Sequence, residues 1–244
     1  MHLDFGVILI FFAAVVPWLG RRRVRLLMLA PHTTKGQRLA LYASTIVFQW
    51  TAVGVILWRS RAHAIAPRQF GWAIPDLPLV SVVSLTLGAL IFANQIVSLR
   101  KLSHRSGQAA TAIPQLALKI FPQDNSERAL FLLLSGTVAV CEEFIYRGFA
   151  QTVLQSAVAG YVAVGIVGSA LLFALAHLYQ GKRGLLSTFV IGLVFATVRA
   201  WTGSLAPGVV AHFVADASAG LMAPSRVRSM EGSVGSGSRH LGGV

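Results

Sequence analysis

Apolar residues along this chain come in long unbroken runs, not in the alternation of a half-buried strand. Seven runs approach the roughly 20 residues that a helix needs to cross a bilayer. They cover 3–19, 39–58, 78–99, 128–155, 161–181, 185–201 and 205–223. The third opens at the end of "IPDLP", where prolines suit a helix start. Residues 100–127 are the longest internal connection, and "IPQLALKIF" within it suits a short helix in the membrane interface. From Pro224 onward the chain is rich in Gly and Ser and reads as disordered. No internal repeat is visible. The expected fold is all-α, a polytopic transmembrane bundle of about seven spans. It divides into N-terminal helices with their connection (1–127), a helical core (128–223) and a tail (224–244).

Composition supports this. Of 244 residues, 55% are hydrophobic and only 12% charged, about half the charged share of a soluble domain. The net charge of +13 raises the question of nucleic acid. No basic amphipathic stretch or aromatic-basic module accompanies it, so no nucleic-acid partner is expected. The basic residues instead flank the apolar runs, as in "GRRRVR" and "LRKLSHR". With the N-terminus outside, most fall on inner segments, and only Arg59, Arg61, Arg68 and Arg199 fall on outer ones. That bias places the C-terminus in the cytoplasm. The expected location is a bacterial plasma membrane, with lipid as the surrounding partner. The run at 3–19 is followed, not preceded, by its positive charges and lacks a small-x-small cleavage site, so it reads as a transmembrane helix. The single cysteine, Cys141, excludes an internal disulfide and reads as a small buried residue.

Charged groups inside the spans are the informative exception. They cost about 2.5–3.5 kcal/mol each on insertion scales, so they imply a use. Glu142, Glu143 and Asp216 lie well within spans, as do His177 and His212. Glu143 and Arg147 are four apart and can pair, while Glu142 points about 100° away. His212 and Asp216 are also four apart, so the carboxylate can orient the imidazole or share a metal with it. Depths counted from helix ends put Glu142 and His177 level, about 20 and 22 Å in, but His212 only about 10 Å in. A carboxylate base with two histidines suggests hydrolysis of a bond by water. No HExxH, GxSxG or phosphate-loop pattern is present. Asn94 and Gln95 read as interhelical hydrogen-bonding groups, and Gly165, Gly168, Gly184 and Gly192 as close-contact positions.

Three motifs in separate late helices then carry a resemblance: Glu142-Glu143-x-x-x-Arg147, Phe173-x-x-x-His177 and His212-x-x-x-Asp216. Over residues 128–223 the chain resembles the CAAX-protease and bacteriocin-processing family, intramembrane proteases also called CPBP or Abi. The resemblance implies an endopeptidase acting on a peptide or membrane protein. It makes Glu142 the activator of water, with His177 and His212 beside it and Glu143, Arg147 and Asp216 completing the site. The family position at Asp216 is Asn or Asp; an ionised Asp accepts hydrogen bonds only and suits a histidine partner or metal ligand. A zinc ion held by Glu142, His177 and His212 stays open, so the enzyme is metallo- or glutamate-dependent. The alternatives are a non-catalytic membrane scaffold, a bacteriocin self-immunity protein, and a proton-coupled transporter, for which the expected inverted repeats are not seen.

Overall fold

The computed structural model describes residues 2–104, 116–117 and 119–237. It is 86% helical, with seven helices and no strand among the described residues. They are α1 (Leu3–Leu29), α2 (Lys35–Ala62), α3 (Leu77–His104), α4 (Asn125–Ala157), α5 (Val162–Ala176), α6 (Gly181–Thr202) and α7 (Ala206–Gly237). The first four, and α6 extended back to Leu178, are long and apolar enough to span a membrane; α5 is a shorter apolar helix. Large apolar side chains such as Val7, Leu85, Leu90 and Leu171 face outward, as a lipid-facing surface requires. Exposed Trp18, Trp58, Trp72 and Trp201 fit the aromatic belts of membrane interfaces.

Local chemistry sets the helix starts. Thr34 caps α2 reciprocally with Gln37, each side chain bonding the other's backbone N–H, which satisfies two orphan donors. Asp76 accepts from the Leu79 amide at 2.9 Å ahead of α3. Asp124 accepts from the Glu127 amide ahead of α4. The Lys35 ammonium, 2.8 Å away, holds the Asp124 carboxyl well below the usual carboxylate range.

Several boundaries differ from the sequence reading. α1 runs ten residues past 19, to Leu29, because its arginines and leucines are good helix formers. It widens into a π-turn at Phe11–Val15, just ahead of Pro17, whose missing N–H breaks the regular ladder. The span expected at 161–181 stops at Ala176. A 3₁₀ turn, Leu178–Gln180, then leads into α6, which begins at Gly181 rather than 185. α7 continues as helix to Gly237, where a disordered tail was expected from Pro224. Elongation adds one backbone bond per residue once a helix is nucleated. Residues 238–244 lie outside the described residues, as do 113–115 and 118 of the expected interfacial helix.

The centre of the bundle is α4. Half of its most apolar window is buried, against 22% in each of the other four long helices. α2 lies along α4, α5 along α6, and α7 along α3 with a second contact on α4. Glycines permit the closest approaches. A Cβ at Gly165 would stand 2.7 Å from the Gln151 carbonyl, one at Gly168 2.7 Å from Leu154, and one at Gly192 3.1 Å from Ala170. Gly184 instead meets the side chain of Gln180, one turn earlier. Of the two polar residues noted in α3, Asn94 is exposed and Gln95 half-buried. A buried ion pair, Arg38 to Glu127 at 2.8 Å, ties α2 to α4. Lys119 caps the end of α1 by donating to the carbonyls of Leu27, Met28 and Ala30.

The first turn of α7 is set by the chain ahead of it. Ser204 and Leu205 are each 2% exposed, and the Leu205 amide donates to the Gly71 carbonyl. The loop between α2 and α3 thus folds inward, with Phe70 fully buried. α7 therefore begins inside the protein rather than at its rim.

Candidate active site

α4 changes its winding at the motif. Glu143–Ala150 form a π-helical stretch, and all eight of its residues are buried. The wider turn adds a residue where the chain must present several side chains to neighbours at once, a feature often found at functional sites. Gly148 is required there, because a Cβ would stand 2.9 Å from the Phe70 carbonyl.

Within this stretch the two glutamates have different surroundings. Glu143 is 1% exposed. Its Oε1 accepts from Arg147 Nη1 at 3.0 Å and from His212 Nδ1 at 3.0 Å. Its Oε2 lies against the first turn of α7, where a Cβ on Gly208 would approach to 2.6 Å. The positive end of that helix favours a carboxylate. Arg147 is fully buried. Beyond Glu143 it meets aromatic faces, Phe173 at 4.0 Å and Phe195 at 5.4 Å, a cation–π arrangement strengthened by exclusion of water.

Glu142 is only partly buried. Its Oε1 accepts from Gln49 Nε2 of α2 at 2.8 Å. Its Oε2 has no hydrogen-bond partner among the described residues and lies 3.9 Å from His212 Nε2. His212 thus stands between the two glutamates. Its Nδ1 carries the proton donated to Glu143, since a carboxylate only accepts, and this turns Nε2 toward Glu142. Asp216 Oδ2 is 3.7 Å from the same Nε2, beyond hydrogen-bonding distance. The carboxylate that orients His212 is therefore Glu143, not Asp216 as the four-residue spacing suggested. Spacing within one helix cannot reveal a tighter partner on another.

His177 sits at the C-terminal cap of α5 rather than within the helix. Its Nδ1 donates to the Phe173 carbonyl at 2.8 Å. That leaves Nε2 as the outward nitrogen. The Phe173 ring is a hub, 4.6 Å from the His177 ring, 5.8 Å from His212 and 5.3 Å from Tyr146. The Phe-x-x-x-His spacing thus has a physical content: the first residue supplies both a carbonyl for the histidine and a ring for Arg147.

The structure joins Glu142, Glu143, Arg147, His212 and Asp216 in one network, with His177 attached through Phe173. The depth mismatch counted for His212 does not keep it from the α4 motif, because its Nδ1 meets Glu143 at 3.0 Å. Three participants escaped the sequence reading. Gln49 was detectable as a lone amide in an apolar run. Gly208 and Phe195 left no signal, because their roles are contacts with distant residues. Among the described residues, no group of three His, Cys, Asp or Glu side chains could hold a metal ion.

Comparison with known families bears on this geometry. Residues 124–218 match the family described as type II CAAX prenyl endopeptidase Rce1-like. Over that stretch the chain is similar to this family. Among curated proteins and among solved structures no match is found. The matched stretch runs from the cap of α4 to Ser218, two residues past Asp216, and so contains all three motifs. Gln49 lies outside it. The likeness of that stretch supports a CAAX-type intramembrane endopeptidase with a peptide or membrane-protein substrate.

Proposed function

We propose that this chain is a glutamate-dependent intramembrane endopeptidase in which Glu142 is the base that activates water. One observation carries this reading. The paired glutamates have different partners: Glu143 is held by the charged Arg147 and by His212, whereas Glu142 accepts only from the neutral Gln49 amide and keeps Oε2 without a hydrogen-bond partner among the described residues. A base needs such an oxygen within reach of the proton that it takes.

Water gives a proton to Glu142 as its oxygen bonds to the scissile carbonyl carbon. The resulting oxyanion needs a donor, which His212 or His177 supplies from Nε2 when protonated. On collapse the C–N bond breaks, and the proton on Glu142 passes to the leaving amine. Glu143 holds the His212 ring, and Arg147 neutralises Glu143 so that the buried carboxylate does not stand alone. Exposure follows these roles: the Asp216 side chain is 39% exposed, whereas those of Glu143 and Arg147 are 1% and 0% exposed. The open side of the site is therefore the side of Asp216, with the sealed side purely supporting. With the positive-inside orientation, Glu142 and His177 lie in the cytoplasmic half of the membrane and the C-terminus faces the cytoplasm.

The test uses the purified full chain in proteoliposomes with an internally quenched, farnesylated peptide ending in a CaaX tetrapeptide, and with a quenched transmembrane peptide. Glu142→Gln and Glu142→Ala should lose cleavage while inserting and melting like the parent. Undiminished cleavage by either variant refutes the assignment. Normal biological activity of Glu142→Gln at normal membrane levels would favour a non-catalytic scaffold.

A further inference from the structure

Gln49 stands apart from the motifs, 93 residues before Glu142 in sequence and on a helix outside the matched region. It is nonetheless 7% exposed, with its amide nitrogen 2.8 Å from Glu142 Oε1. We propose that Gln49 is a positioning residue that selects which oxygen of Glu142 acts as base. The inference rests on the endopeptidase reading.

A carboxylate has two equivalent oxygens and rotates about its terminal bond. An amide donor on one oxygen, charge-assisted and buried, removes that freedom. The second oxygen is then fixed at 3.9 Å from His212 Nε2, too far for a hydrogen bond. Without Gln49, the carboxylate is free to turn and close directly on the imidazole. That contact would occupy the oxygen that must receive the proton from water. Gln49 therefore keeps base and histidine apart. Its own position is firm, because α2 is bound to α4 through the buried Arg38–Glu127 pair. The Gln49 Oε1 is also buried and has no hydrogen-bond partner among the described residues. An apolar side chain of similar length would have packed there at lower cost, so an amide at this place needs a reason, and the contact to Glu142 supplies it.

Two substitutions separate donor from shape. Gln49→Met keeps length and removes the donor. Gln49→Asn keeps the amide donor but draws it back by one methylene. With the farnesylated quenched peptide, both should lower kcat by about 100-fold, the scale of a misplaced catalytic group. KM should stay within about 2-fold, since the binding of substrate in its ground state is untouched. A merely structural role predicts loss of folded protein with normal kcat in the folded fraction. A second readout needs no turnover. Gln49→Met should lower Tm by about 3–6 °C in the parent, but not in a Glu142→Ala background, where the partner is already gone. Equal Tm changes in both backgrounds overturn the proposal. So does an undiminished kcat in both variants of an active parent. A parent without turnover on either peptide removes the endopeptidase reading and this proposal with it.

Discussion

Replacing Gly208 by alanine sets two effects of opposite sign against each other. Alanine is the better helix former, by about 1 kcal/mol in a helix interior. If the space beside Gly208 were open, the variant would be more stable than the parent. It is not open. The added Cβ would stand 2.6 Å from Glu143 Oε2 and 3.2 Å from its Cδ, whereas ordinary contact begins at 3.4 Å. The carboxylate must retreat by about 0.8 Å. A carboxylate at the end of an exposed side chain would do so freely. This one is 1% exposed and held by two bonds of 3.0 Å, from Arg147 and His212. A retreat of that size lengthens both bonds or drags His212 with it. Weakening a buried charge pair costs more than the helical gain, up to about 3–5 kcal/mol when a partner is lost outright. A 1 Å error in a catalytic group costs about 100-fold in rate. Gly208→Ala should therefore lower both kcat/KM, by about 10- to 100-fold on that scale, and Tm. Steady-state cleavage in proteoliposomes and thermal unfolding in detergent measure the two. A variant with parental kcat/KM and a raised Tm would show that Glu143 does not press on α7 and would remove its support of His212.

The remaining expectations are more direct. Phe173→Ala removes the ring beneath Arg147 and beside His177 and should destabilise the fold by about 3–5 kcal/mol, as for other buried phenylalanines; Phe173→Leu should recover most of that stability but not the full kcat, which unfolding and cleavage assays separate. Arg38→Ala strands the buried Glu127 carboxylate and should cost about 3–5 kcal/mol, whereas the double variant Arg38→Met/Glu127→Leu should melt near the parent, which thermal unfolding in detergent measures. Because no three-ligand set converges among the described residues, dialysis against a strong chelator should leave cleavage unchanged; activity lost to chelator and restored by added zinc would overturn the glutamate-dependent reading.

Hydropathy and charge placement by themselves determined the helical class, the approximate places of the seven helices among the described residues and the charged groups within them. A helix in lipid must satisfy its own backbone, so long apolar runs have few alternatives. A charge within such a run is costly enough to stand out. The pattern also gave the Glu143–Arg147 pair, since residues four apart on one helix remain neighbours even where α4 widens into its π-stretch. What only the tertiary structure decided is who faces whom across helices. The partner of His212 is Glu143, 69 residues away in sequence, rather than Asp216 on its own helix. Gln49 and Gly208 act on the two glutamates from α2 and α7. The meeting of His212 with the α4 motif follows a loop packed inward at Phe70, whose neighbour Gly71 accepts from the Leu205 amide ahead of α7. Helical periodicity fixes the face on which a side chain sits, but the rotation and depth of each helix against its neighbours come from packing, and the different partners of Glu142 and Glu143 depend on both.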